Sequence, residues 1–274
     1  MTDPGLERVL EHAADPVIVT GFVQIAIAAA LTAVVLGIIY ARQLGFEREI
    51  VAMAVRGLVQ VVAAGAVISL LLAAHLAWAA VVLAFMIVVA AYISYKRGTA
   101  LPGVFGTSLA SIGFGAGLTI VAMAAAGAIE MTMRDLLVIG SMVIANAMQT
   151  NSLALDRFTG EIASNRAEIE ALLSVGASPD EAVTEYVSTS VYAALIPTID
   201  GIKSLGVVKI PGLMAGMIIA GENPIYAAQY QFAIMLMLFA AGGLTVVANT
   251  VLLSRRVFTD AKQLDEAVVD AIDE

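Results

Sequence analysis

The sequence predicts an all-α, polytopic membrane protein with about seven transmembrane segments and one cytoplasmic helical hairpin. Its 274 residues are 60% hydrophobic and only 14% charged, whereas about a quarter of the residues in a soluble domain are charged. The mean hydropathy is +0.93. Four long runs contain no Asp, Glu, Lys or Arg: residues 17–41, 57–95, 100–129 and 136–155. Because a helix needs roughly 20 apolar residues to cross the hydrocarbon core, each run can supply at least one span.

The apolar runs divide into seven predicted membrane-crossing elements. They lie at about 18–40, 57–74, 76–95, 103–129, 136–155, 187–220 and 225–253. The sixth is irregular, since it contains Pro197, Asp200, Gly201, Lys203, Lys209, Pro211 and Gly212. Proline and charge interrupt a membrane helix unless protein or a water-filled cavity covers the freed backbone groups. We therefore predict two segments with a break between them.

The basic residues predict the orientation of these spans. Ten of the fourteen Lys and Arg fall on one side of a seven-span protein: Arg42, Arg48, Arg56, Lys96, Arg97, Arg157, Arg166, Arg255, Arg256 and Lys262. By the positive-inside rule that side is cytoplasmic. We expect a multi-pass protein of the cell membrane with its N-terminus outside and its C-terminus in the cytoplasm. The chain is predicted to form one transmembrane domain over 1–274, with a cytoplasmic region at about 156–186 and an acidic tail at 254–274.

The cytoplasmic region has the residues that stop one helix and start another. Residues 156–175 can form a helix, and Gly176 is a natural residue to close it, because glycine accepts the left-handed conformation. Ser178, Pro179 and Glu181 then supply the N-cap, N1 and N3 positions of a capping box. A surface hairpin without a partner and a docking element for a cytoplasmic protein both fit this pattern.

Four stretches resemble known transporter subunits. EALLSVG at 170–176 resembles the Glu-Ala-Ala-x-x-x-Gly loop of ABC-transporter permeases, with Leu172 in place of the second alanine. The stretches VIANAMQTNSLALDRF (143–158), LIPTIDGIKSLGVVKIPGLMAGMIIAG (195–221) and PIYAAQYQFAIMLM (224–237) are similar to the FetB-type permeases of the UPF0014 family. That family is described as exporting iron or other metals.

The resemblance implies a permease subunit that is not itself an enzyme. It would dock on a separate cytoplasmic ABC ATPase, which would carry ATP and Mg, and this chain would bind no cofactor. The residues implied in coupling to the ATPase are Glu170, Ala171, Gly176, Ala177 and Ser178. A pair of permease chains in the membrane is the family expectation. Consistently, the chain has no G-x-x-x-x-G-K-[ST] phosphate-binding loop.

Polar residues inside the spans are the candidates for a substrate pathway. Asn146, Gln149 and Asn151 lie near the cytoplasmic end of the fifth predicted span, where a gate or hinge is expected. Hydrogen bonding between helices is the alternative role for these side chains. Asp200 and Lys203, three residues apart, can pair in the pathway or lie at the water interface.

The metal-ligand set is unknown from the sequence. Met214 and Met217 could bind a soft ion, although methionine is also common packing material. His12 and His75 are not spaced as a helical metal pair. The glycine pairs Gly113/Gly117 and Gly212/Gly216 have the spacing that lets membrane helices pack closely.

Composition and missing motifs narrow the remaining function classes. A net charge of −9 disfavours nucleic acid as a partner, and the absence of cysteine excludes thiolate chemistry. The chain has no H-E-x-x-H or G-x-S-x-G motif, which disfavours a membrane enzyme. A secondary transporter driven by an ion gradient is the alternative function, favoured by the irregular sixth element.

Overall fold

The computed structural model describes residues 16–43, 45, 47–71, 74–98, 101, 103–259 and 261–265. The described residues form nine helices: α1 (Pro16–Ala41), α2 (Glu47–Leu71), α3 (Ala77–Tyr95), α4 (Val104–Ala125), α5 (Met133–Ser164), α6 (Arg166–Ser174), α7 (Pro179–Lys203), α8 (Gly212–Ile219) and α9 (Pro224–Ser254). The predicted all-α membrane fold is confirmed.

Six of these helices are long and apolar enough to cross a membrane, namely α1 to α5 and α9. They correspond to the first five and the last of the seven predicted elements. Their ends differ from the prediction where polar residues extend a helix beyond its apolar run. α2 begins ten residues early, at Glu47, and α5 continues past residue 155 to Ser164. Backbone hydrogen bonding continues into water, so the end of a charge-free run is not the end of a helix.

The predicted sixth element consists of α7 followed by the short helix α8. The break lies at residues 204–211, while α7 runs without interruption through Pro197, Asp200 and Gly201. A proline inside a helix removes one backbone hydrogen bond, and neighbouring groups can compensate for this in a membrane helix. Residues 204–211 instead form tight turns, with a single bridge between Leu205 and Lys209.

The described chain divides into two compact units, one ending at Leu70 and one beginning at Leu71. In the first unit, α1 is apolar around its whole circumference, as expected of a helix in lipid. α2 is largely apolar apart from the charged residues within its first ten positions. The second unit is a helical bundle around α9, which packs against α4, α5, α7 and α8. Its largest core cluster joins α3, α4, α5 and α9 through residues such as Leu83, Ile112, Val143 and Ile234.

A second core cluster gathers one end of the bundle, which we call the hairpin end. There Val104 at the start of α4, Phe158 of α5, Ile169 of α6, Val183 of α7 and Leu253 of α9 are buried together. Seven of the predicted cytoplasmic cations flank this cluster: Lys96, Arg97, Arg157, Arg166, Arg255, Arg256 and Lys262. The opposite end, called the far end, contains the 126–132 turn and the first turns of α5 and α9.

Close helix packing in the bundle uses glycines outside the predicted pairs, and at Gly115 the close neighbour includes the backbone of another helix. A Cβ atom on Gly115 of α4 would lie 2.7 Å from the Ala241 carbonyl oxygen of α9. At Gly117, Gly212 and Gly216 no described atom lies within 4 Å of that position, and at Gly113 only the tip of Ile87 does, at 3.9 Å. Gly115 makes this contact because it lies on the face of α4 that packs against α9, where most buried side chains are small or polar.

Candidate functional site

The turn of the hairpin forms as the sequence predicts: Gly176 closes the first helix and a capping box begins the second. Gly176 has a φ of 94°, in the left-handed region. Its amide donates to the Leu173 carbonyl at 3.1 Å, and the Ala177 amide donates to the Leu172 carbonyl at 3.0 Å. This pair of bonds is the Schellman arrangement, in which glycine closes the last turn of a helix. α6 therefore ends in a fixed turn.

A complete capping box starts α7 immediately after that turn. The Glu181 amide donates to the Ser178 hydroxyl oxygen, and the Ser178 amide donates to the Glu181 carboxylate at 2.8 Å. The Ser178 hydroxyl also donates to this carboxylate, at 2.7 Å. These hydrogen bonds from Ser178 stabilise the ionised form, so the pKa of Glu181 lies below its usual value of 4.5. Both ends of the turn are thus fixed by local bonds.

The inner face of the hairpin is buried and its tip is exposed. Ile169 of α6 and Val183 of α7 lie in the hairpin-end core, whereas Val175 at the tip is 82% exposed. Glu170 pairs with Arg166 one turn earlier on α6, at 2.8 Å and about half-exposed. The predicted coupling residues Glu170, Ala171, Gly176, Ala177 and Ser178 therefore follow one another along the outer edge of a hairpin that is anchored in the bundle.

A groove of about 630 Å³ separates the hairpin from a C-terminal segment that comprises residues 257–259 and 261–265. We call it the hairpin groove; its lining includes Arg166, Glu170, Ser174, Gly176, Lys262 and Gln263. The segment is held in place because Val257 and Leu264 are buried in the hairpin-end core, and because the Asp265 amide donates to the Val257 carbonyl. The sequence pattern did not predict this neighbour of the hairpin, since it depends on the folding back of a chain end.

A cavity of about 270 Å³, lined by both polar and apolar residues, lies among α5, α7, α9 and the 204–211 turn. We call it the central cavity. Its lining is Asn146, Gln149, Thr150, Leu153, Ala194, Pro197, Thr198, Gly201, Lys209, Met235 and Leu238. Asn146 fixes the wall: its Nδ2 donates to the Leu238 carbonyl at 2.8 Å, and its Oδ1 accepts from the Thr198 hydroxyl at 3.2 Å. Three helices are therefore tied together around the cavity.

Asn146 lies near the middle of α5, which continues to Ser164, and Leu238 lies near the middle of α9. The expectation that Asn146 and Gln149 form a gate or hinge near the cytoplasmic end of the span stays a prediction. A second cavity of about 370 Å³ shares Gln149 and Leu153 with the central one and continues to Arg97 and Asp156 at the hairpin end.

The other predicted pathway residues lie elsewhere. Asn151 is fully buried, and its Nδ2 donates to the Ser108 hydroxyl while its Oδ1 accepts from Asn249. Asp200 and Lys203 form the predicted pair at 3.6 Å, but both are more than 60% exposed and neither lines the central cavity. Met217 lines a far-end cavity of about 810 Å³, and Met214 is half-buried on the same short helix.

Several residues of the site were not selected from the sequence. Thr198 and Asn249 are polar residues inside predicted spans, a signal that could have identified them. The described residues contain no group of three or more His, Asp and Glu side chains able to hold a metal ion. His75 accepts a hydrogen bond from the Ala77 amide at the start of α3, and His12 lies outside the described residues.

Comparison with known proteins identifies the family. Residues 22–258 match the family model described as "Uncharacterised protein family (UPF0014)". The chain belongs to the UPF0014 family. The predicted resemblance is thereby confirmed, and the matched region contains both the hairpin and every residue that lines the central cavity.

Relatives of this UPF0014 protein occur in bacteria and plants. It is 30% identical to the "Probable iron export permease protein FetB" of Escherichia coli over 88% of this chain and 93% of the relative. It is 31% identical to "UPF0014 membrane protein YjkA" of Bacillus subtilis over 81% and 89%. It is 29% identical to "Protein ALUMINUM SENSITIVE 3" of Arabidopsis thaliana over 88% and 89%. No solved structure matches this chain.

Proposed function

We propose that this UPF0014 protein is the membrane permease subunit of an ATP-driven exporter whose cargo is iron or another metal. The hairpin carries the proposal: it is anchored in the bundle core, capped on both sides of its turn, and exposed at its tip. A rigid element of this kind can transmit motion, whereas a flexible linker cannot. The name of the FetB relative, which includes "iron export permease", supports the direction and the cargo.

The proposed partner is a separate cytoplasmic ABC ATPase, to which ATP and Mg would bind. The ATPase would contact Glu170, Ala171, Gly176, Ala177 and Ser178 and the adjoining hairpin groove. Closure of two ATPase subunits would move two hairpins, so the active complex is proposed to contain two permease chains. Substrate binding in the membrane should in turn alter ATP hydrolysis, because coupling between two sites is reciprocal.

The direct test is co-purification of the tagged protein from native membranes with a Walker-motif ATPase, combined with Gly176→Gln. The turn at Gly176 needs a left-handed φ, which a side chain disfavours. We expect Gly176→Gln to lose ATPase capture and transport while it still inserts into the membrane. Gly160→Gln is the matched control, because Gly160 is an exposed helical glycine of α5 with open space around it.

The outcomes separate the two classes of transporter. Equal capture of an ATPase by the Gly160→Gln and Gly176→Gln proteins would show that the hairpin is not part of the surface that binds the ATPase. Absence of any ATPase from the wild-type preparation would favour the gradient-driven transporter, for which the interrupted element at 204–211 is the supporting feature.

A further inference from the structure

The central cavity has a single charged group in its lining, and that group is a cation. Lys209 extends from the 204–211 turn toward α7, and its Nζ lies 4.0 Å from the position that a Cβ atom on Gly201 would occupy. The ammonium group of Lys209 therefore lies beside α7 at Gly201. Lys209 is exposed on its turn, so a ligand in the cavity can reach its ammonium group.

No acidic side chain balances Lys209 in this cavity. Its described lining contains amides, hydroxyls and apolar groups, and no Asp or Glu. The nearest acid in sequence, Asp200, pairs with Lys203 and is not part of the lining. A bare metal cation would therefore meet a positive charge and no carboxylate. A lysine without a protein counter-ion is instead suited to an anionic ligand.

The neutral groups of the wall leave hydrogen-bond donors available beside Lys209. Asn146, Thr150 and Thr198 use hydrogen bonds to position one another and the α9 backbone. The Gln149 side chain has no such bond among the described residues and lines both the central cavity and the cavity that continues to the hairpin end. An ammonium and a primary amide together offer up to five N–H donors, the complement of an oxyanion.

We propose that the central cavity binds a small oxyanion, a carboxylate or a phosphate, through Lys209 and Gln149. The volume of about 270 Å³ lies just under the range of roughly 300–1,000 Å³ for sites of drug-sized ligands, which fits a small ion. This inference rests on the proposed transport function and names its substrate class. Metal cargo would cross as a complex with an oxyanion, because the carboxylate ligands that would neutralise a hard cation are absent from the described wall.

The test measures binding by the purified full-length protein in phosphatidylcholine nanodiscs, without ATPase or ATP. The probes are radiolabelled citrate, inorganic phosphate, ferric citrate and ferrous ion without a chelator. The variants are Lys209→Gln and Lys209→Arg, with Lys203→Gln as the matched control, because Lys203 is an exposed lysine of α7 outside the cavity. Thermal unfolding of each variant verifies that it is folded.

We expect citrate or phosphate to bind the wild-type protein, and ferric citrate to bind better than ferrous ion alone. Lys209→Gln should weaken anion binding about tenfold to a hundredfold, the usual effect of losing a charged hydrogen bond. Lys209→Arg should retain binding and Lys203→Gln should behave as wild type. Binding of citrate alone would identify a carboxylate site, and binding of phosphate alone a phosphate site.

Three results would overturn the oxyanion site: binding of neither anion, tighter binding of ferrous ion than of both anions, or equal losses in Lys209→Gln and Lys203→Gln. A different combination of results would reject the proposed ATP-driven function. Capture of an ATPase with no dependence of binding on Lys209 would reject only the oxyanion site. Lys209-dependent anion binding in a protein that captures no ATPase would reject only the ATP-driven mechanism.

Discussion

At the scale of single residues, a buried chain of hydrogen bonds joins three helices of the bundle. Asn249 of α9 donates to Asn151 of α5 at 2.6 Å, and Asn151 donates to the Ser108 hydroxyl of α4 at 3.0 Å. All three residues are fully buried. Lipid provides no competing hydrogen-bond partners, so such bonds fix which helix faces meet. Asn151 thus has a packing role in the structure, while its role in a substrate pathway stays a prediction.

We expect Asn151→Ala to lower the free energy of unfolding by about 1–3 kcal/mol, because it leaves polar groups of Ser108 and Asn249 buried without their partner. A double-mutant cycle with Asn249→Ala should give a coupling energy of about 0.6 kcal/mol, the average for hydrogen bonds between membrane helices, and at most about 1.7 kcal/mol. Denaturation in mixed micelles measures both quantities. Ser141→Ala is the control, since its hydroxyl is exposed and bonds only within α5. A coupling energy of zero would show that the bond does not stabilise the bundle.

At the scale of elements, the turn of the hairpin was predictable to the residue, because it is encoded locally. The helix predicted over residues 156–175 is instead divided at Asn165 between α5 and α6. Gly176, Ser178 and Glu181 act on backbone groups within a few positions of themselves. The central cavity and the buried asparagine chain could not be predicted, because the residues that hydrogen-bond to one another there are about 40–100 positions apart in sequence. The sequence predicted a break in the sixth element without giving its position. In the structure the break follows Lys203 and α7 continues through Pro197, since one proline does not decide where a helix ends. The sequence thus shows which residues cap a helix or form a turn, but it does not show which helices pack against one another.

The capping box makes the hairpin sensitive to acid. Because the folded-state pKa of Glu181 lies below 4.5, its carboxylate stabilises the folded turn at neutral pH. That contribution is lost as the pH falls below 4.5 through the folded-state pKa. We expect hydrogen exchange of the amides at 178–186, corrected for the intrinsic rate, to accelerate in this range. Glu181→Gln should remove most of the pH dependence.

The contribution of Ser178 to the capping box can be tested separately from that of the charged Glu181. We expect Ser178→Ala to destabilise the start of α7 by about 1 kcal/mol, the usual cost of losing an N-cap. Thr184→Ala is the matched control, because its exposed hydroxyl donates to the Asp180 carbonyl of the same helix and caps nothing. Equal exchange rates at 178–186 in the two variants would contradict a stabilising role for the cap.

At the scale of the whole molecule, the two ends of the second unit differ in their number of Lys and Arg residues. The hairpin end carries Lys96, Arg97, Arg157, Arg166, Arg255, Arg256 and Lys262, whereas the described turn and first helical turns of the far end contain Arg134 alone. The cytoplasmic side was predicted by applying the positive-inside rule to membrane spans that were themselves predicted from the sequence. The structure gathers these cations at one end because α3, α5 and α9 terminate there and α4 begins there. The helix packing and the charge asymmetry thus support the same sidedness.

That sidedness can be measured with introduced thiols, since the chain contains no cysteine and the wild-type protein has no background reaction. Glu185→Cys lies on an exposed position near the start of α7, and Met131→Cys lies in the far-end turn, where Met131 is 60% exposed. A membrane-impermeant maleimide added to intact cells should label only M131C, while permeabilised cells should label both. If E185C alone reacted in intact cells, the hairpin would face outward. A cytoplasmic ATPase could then not reach it, and the orientation and the coupling proposal would fail together.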